Sequence, residues 1–222
     1  MKRDRRGTVR ETLQDLKGMT RKEKIEHIWS YYNLWIIGII LLIVFLIEVG
    51  KIAVNARIET VQSGLLLNVT ATEELETCLN EDFLTYVGGD PKKQKMETMI
   101  QYYGQTDDAE YAYYTEMSIV ARISAQELDY VITDESGFAQ LARGDLFLDL
   151  RQFFTEDELA AFGDQVLYDT LESGQELPVG LRLNGTEFGR DHLPAELPYY
   201  LLFFANSARI DRMDLTLSYL GY

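Results

Sequence analysis

The chain has one cysteine, Cys78, among 222 residues. An internal disulfide is thereby excluded, and a lone thiol cannot build a zinc site. Cys78 falls inside a helix-like run, Thr72–Tyr86, where it reads as a small apolar residue. It lies too far beyond the apolar stretch to be the lipidated cysteine of a lipoprotein. Histidine is scarce too, with only His27 and His192. A Ser-His-Asp or Cys-His arrangement would need His192, and no nucleophile motif accompanies it. Gly88-Gly89 is a pair rather than a phosphate-binding fingerprint. Asp107, Asp108 and Glu110 lack the alternating loop with its central glycine that calcium requires, and read as the start of a helix. Fixed-period repeats and low-complexity tracts are absent. The expectation is a protein that is not an enzyme, with no catalytic residue, no metal and no cofactor.

Positive charge is scarce in most of the chain. Residues 1–28 carry nine Lys/Arg and five Asp/Glu, whereas residues 51–222 carry twelve against thirty. A domain so acidic repels nucleic acid and anionic lipid headgroups, so no nucleic-acid partner is expected. Between these regions, Ile28–Ile47 holds no formal charge, and Leu34–Ile47 is apolar throughout. Twenty residues of helix reach about 30 Å, the thickness of a hydrocarbon core. Trp29, Tyr31, Tyr32 and Trp35 cluster at one end, where aromatic rings favour the interface. The basic flank precedes the run, which puts the N-terminus in the cytoplasm. The expected layout is a basic cytoplasmic tail (1–27), a single-pass transmembrane signal anchor (28–49), a linker (50–60) and an extracytoplasmic domain (61–222). The lipid bilayer is then a partner through residues 28–49, at the cell membrane. Val54-Asn-Ala56 offers the small residues of a signal-peptidase site, so cleavage after Ala56 is the competing reading. An outward domain without cystines fits a Gram-positive bacterium.

Within the domain, Val61–Val69, Met96–Tyr103, Leu128–Thr133, Pro178–Leu183 and Leu197–Asn206 read as strands. Thr72–Tyr86, Asp107–Gln126, Asp134–Ala142, a segment capped by Thr155 and Ser207–Leu220 read as helices. Strands alternating with helices predict an α/β layer structure with a mostly parallel sheet. In such sheets ligands gather beyond the carboxyl ends of strands. Asp134, Glu135 and Ser136 follow one strand, and Asn206 and Ser207 follow the last. These five are the candidate ligand-binding residues, with helix capping by Asp134 or Ser136 as the alternative. Tyr102, Tyr103, Tyr111, Tyr113 and Tyr114 offer aromatic faces for a carbohydrate or peptide, or simply core and rim.

Leu128-Asp-Tyr-Val-Ile-Thr-Asp134, then Phe138-Ala-Gln-Leu-Ala-Arg-Gly144 and Leu148-Asp-Leu150, resembles extracellular solute-binding proteins of ATP-driven importers. Pro178-Val-Gly-Leu181 is similar to that family's Pro-x-Gly strand near the cleft, and Phe204-Ala-Asn-Ser207 to its Ala-x-Asn-Ser strand. The chain is short for two lobes, since the stretch between Leu150 and Pro178 cannot hold a second one. The resemblance therefore implies one lobe plus a remnant, as in anchored proteins of Gram-positive anaerobes. The function it implies is an extracytoplasmic binding domain for a small solute or peptide. The alternative is an accessory envelope subunit that has lost its ligand and contacts a protein partner.

Overall fold

The structure, a computed structural model, describes residues 35, 37–51, 58–103, 109–142, 146–171 and 174–222. These belong to two units that divide between Arg57 and Ile58. In the first, residues 37–51 are helical, and the large apolar side chains from Ile37 to Val49 are exposed on every side. Those fifteen residues span roughly 22 Å, short of a hydrocarbon core. Among the described residues no helix is long and apolar enough to cross a membrane. This corrects the expectation of a transmembrane helix over 28–49, of which residues 28–34 and 36 lie outside the described residues.

The second unit is built on a six-stranded sheet, in the order β2-β1-β3-β6-β5-β4. Strand β1 (Glu59–Leu67) pairs in parallel with β2 (Gln94–Gln101) and with β3 (Tyr130–Thr133). Strand β6 (Tyr200–Phe203) runs antiparallel to β3, with Thr133 opposite Tyr200 and Tyr130 opposite Phe203. Strands β5 (Glu176–Arg182) and β4 (Val166–Thr170) continue antiparallel. The sheet is thus mixed, with three of its five pairings antiparallel, which corrects the expected mostly parallel sheet. The physical reason lies in the later half. Strands β4 and β5 form a hairpin whose turn is closed by Leu171 N donating to Gln175 O (2.9 Å) and by Gly174 at φ +80°. A strand buried on both faces, such as β6, shows an apolar run that carries no record of its direction.

Helices cover both faces. On one side Leu66, Ile132, Leu201 and Phe203 pack with Leu75, Cys78 and Leu79 of α1 (Glu73–Thr77 and Phe83–Tyr86, joined by the π-helical turn Cys78–Asp82). On the other side Leu65, Leu67, Val131 and Leu202 pack with Ile119 and Ile123 of α2 (Ala109–Ser124) and with Leu141 of α3 (Glu135–Leu141). Neighbouring residues of β1 go to opposite cores because strand side chains alternate. Helix α4 (Glu156–Phe162) begins with a capping box between Thr155 and Glu158. Helix α5 (Glu187–His192) is capped by Thr186, and α6 (Met213–Leu220) closes the domain behind the 3-10 turn Ile210–Arg212. At Gly64 an added Cβ would collide with the Tyr130 ring, so β1 and β3 approach closely only with glycine there.

Candidate binding site

At the carboxyl ends of β1 and β3, Asn68 turns the chain with φ +59°, a conformation that asparagine tolerates better than most residues. Its Nδ2 donates to Asp134 Oδ1 (3.1 Å) and Ser136 Oγ (3.0 Å), and its Oδ1 accepts from Tyr103 N (2.7 Å). Asp134 caps α3 by accepting from Gly137 N (2.8 Å), and Ser136 Oγ donates to the same carboxylate. Tyr200 OH donates to Glu135 Oε1 at 3.4 Å. Burial, and then the Asp134 charge, push the Tyr199 phenol above its usual value. Burial and Glu135 do the same to Tyr200. Asp134, Glu135 and Ser136 thus stand together, with Asp134 and Ser136 bonded to each other and to Asn68. The arrangement pins the exit of β1 to the start of α3.

Asn206 and Ser207 lie at the other end of the sheet. Because β6 is antiparallel, its carboxyl end meets the amino ends of β1 and β3. Asn206 Nδ2 donates to Ile123 O (2.7 Å), tying this corner to α2. Ser207 Oγ donates to Asp129 Oδ1 (2.5 Å). Asp129 is fully buried, and its Oδ2 accepts from Ser63 N (2.6 Å) and Arg209 Nε (2.8 Å). Arg209 Nη2 donates onward to Glu127 O (2.9 Å). A buried carboxylate is tolerated only when it is paired and its lone pairs are filled, and here Ser63, Ser207 and Arg209 converge to do so. Sequence reasoning missed Asp129, an acid inside the apolar run Leu128–Thr133. The one available signal was its placement, since a buried acid demands a partner.

Arg209 and Ser63 also wall a hollow of about 440 Å³ between α2 and the amino ends of β1 and β2. Arg122, Gln126, Glu127 and Glu97 complete its polar lining. Gln126, at φ +59°, ends α2 and turns the chain along the rim. Ser63 is only 3% exposed, and its backbone N–H is taken by Asp129. Two cations and two anions therefore face one concavity. Arg122 and Glu127 are 3.5 Å apart, and Glu97 pairs with Lys95 at 2.9 Å.

No protein-family model matches the chain, and neither a curated protein nor a solved structure matches it. Among the described residues no group of three or more His, Cys, Asp or Glu is placed to hold a metal ion. His192 packs against Phe188, with ring centroids 5.3 Å apart, and His27 lies outside the described residues. Asp107 and Asp108 lie outside them as well. Of the tyrosines, Tyr102 OH accepts a long bond from Ala71 N (3.4 Å), while Tyr113 and Tyr114 project from α2 into solvent.

Proposed function

We propose that the Ile58–Tyr222 unit is a non-enzymatic binding domain of solute-binding-protein-like type. Its ligand is a small polar solute bearing both an acidic and a basic group, seated in the hollow beside Ser63 and Arg209. One observation carries the reading: a polar hollow of about 440 Å³ is lined by two cations, Arg122 and Arg209, and two anions, Glu97 and Glu127. A concavity with a few convergent polar groups is the kind of place that holds a small solute. The charges set the ligand class. An anion alone would meet Glu97 and Glu127, and a cation alone would meet Arg122 and Arg209; a zwitterion pairs with both. The Asn206–Ser207 corner contributes by fixing the Asp129–Arg209 pair that forms one wall. The Asp134 cluster then acts as a cap.

The second part of the proposal is location. The helix over residues 37–51 exposes apolar side chains all round, an arrangement stable when those side chains leave water. Association with a lipid bilayer through this segment would satisfy it.

The test is a thermal-shift screen of the full-length chain against free amino acids, simple carboxylates, simple amines and sugars. A ligand that binds only the folded state adds about 2.7 kcal/mol of stability at a hundredfold excess over Kd. Amino acids are expected to give a saturable shift that Ser63→Ala and Arg122→Gln reduce and Asp134→Ala leaves intact. A flat screen, or a shift that survives both hollow variants, would overturn the proposal.

A further inference from the structure

Helix α2 presents an unusual face to solvent. Thr115, Ile119 and Ile123 are buried against the sheet. The opposite side should then be polar, as on an ordinary surface helix. Instead Tyr113 (59% exposed), Tyr114 (62%), Met117 (47%) and Val120 (46%) project outward along successive turns. Tyr113 and Tyr114 contact each other edge to face, with centroids 6.0 Å apart. The same ridge leads into a mainly apolar recess of about 210 Å³ between α2 and α3, lined by Val120, Ile123, Leu141 and Leu146. A contiguous apolar strip beside a recess marks a contact surface, and tyrosine and methionine are favoured there.

Charge selects the occupant. The unit from Ile58 to Tyr222 carries ten Lys/Arg and thirty Asp/Glu, a net of −20. A second copy would bring an equal negative charge onto the same face. An anionic bilayer is repelled for the same reason. A cationic partner is attracted, and complementary potentials both speed its encounter and reject others. We infer that the exposed face of α2 is a docking surface for a basic amphipathic helix of a partner protein, whose apolar side lies on Tyr113, Met117 and Val120 and sends one side chain into the recess. Apolar ridges on both helices then interdigitate, while lysine and arginine on the partner's rim face the acidic domain. This surface is separate from the Ser63 hollow and does not depend on it.

The experiment uses the full-length chain and a fluorescein-labelled amphipathic peptide of leucine and lysine, followed by anisotropy at physiological salt. The informative variant is Met117→Glu. It adds negative charge, so attraction by charge alone would hold or tighten binding, whereas an apolar seat would be lost. The expected result is saturable binding that Met117→Glu weakens at least about tenfold. Leu197→Glu, the same change at an exposed site elsewhere on the domain, should leave it intact. The circular-dichroism melt of each variant checks that the fold survives. Four results would overturn the inference: no binding to the unsubstituted chain, equal binding after Met117→Glu, equal binding of a leucine–glutamate peptide, or a dimer or phosphatidylglycerol-vesicle complex that Met117→Glu dissolves.

Discussion

Asp129 shows how one residue can hold a corner of the domain. Its carboxylate, itself without exposure to solvent, joins Ser63 on β1, Ser207 after β6 and Arg209 beyond it. Removing one partner of such a pair leaves the other charge uncompensated, which costs about 3–5 kcal/mol. Asp129→Ala should lower the free energy of unfolding by that order in urea titrations. Arg209→Met should cost at least as much as Asp129→Ala, because it leaves the fully buried carboxylate without its cation, whereas Asp129→Ala leaves a partly exposed guanidinium that can be hydrated. Equal stability of Asp129→Ala and the unsubstituted chain would sink this account. At this scale the sequence was only partly legible. Asp129 reads as part of a strand, but its partner Arg209 stands 80 positions later, and no local pattern links them. The same limit applies to Asp134 and Asn206. Both follow strands, as read, yet an alternation with a period of two gives no direction, and so no indication that the two residues lie at opposite ends.

Among the elements, α3 is seated tightly against β1 and β3. Gly137 faces Thr133 Oγ1 and Leu67, and an added Cβ would overlap the Thr133 hydroxyl and sit 3.1 Å from Leu67 Cδ2. That hydroxyl is itself buried without a hydrogen-bond partner among the described residues. Helix propensity alone would make Gly137→Ala stabilising by about 1 kcal/mol. Overpacking instead costs about 1–3 kcal/mol. The expected outcome is a net loss in thermal and urea unfolding, relieved when Thr133→Ala is added. A double-mutant cycle isolates that coupling, and a zero coupling energy would refute the contact. The elements with clear local signals were readable in advance. Strands β1 and β3 are compact apolar runs, and α1 and α4 are announced by Thr72 and Thr155 at their caps. Strand β4 was not, because Val166–Thr170 is short, half exposed and follows directly on a helix. Missing β4 hid the hairpin with β5, and with it the antiparallel half of the sheet.

At the scale of the whole molecule, the two units have opposed surface chemistry. The described part of one is a helix with apolar side chains exposed from Ile37 to Val49, and the other is a domain of strongly negative charge. Leaving so much apolar surface in water costs about 25 cal/mol per Å². On the proposed bilayer association, the full-length chain should sediment with membranes, resist a high-salt wash and enter detergent. Replacing Ile40 and Ile43 with lysine should move it to the soluble fraction. Recovery of the unsubstituted chain in the supernatant would count against association. The charge asymmetry and the α/β class were legible from composition and from the alternation of elements. The sheet's handedness of pairing was not, because it depends on contacts between distant segments. The antiparallel seat of β6 also matters while the chain is being made. Strand β3 leaves the ribosome long before Tyr200–Phe203, the segment that covers its open side. Throughout that interval Val131 and Ile132 border an unpaired strand edge, the place where a nascent chain is open to pairing with a neighbour.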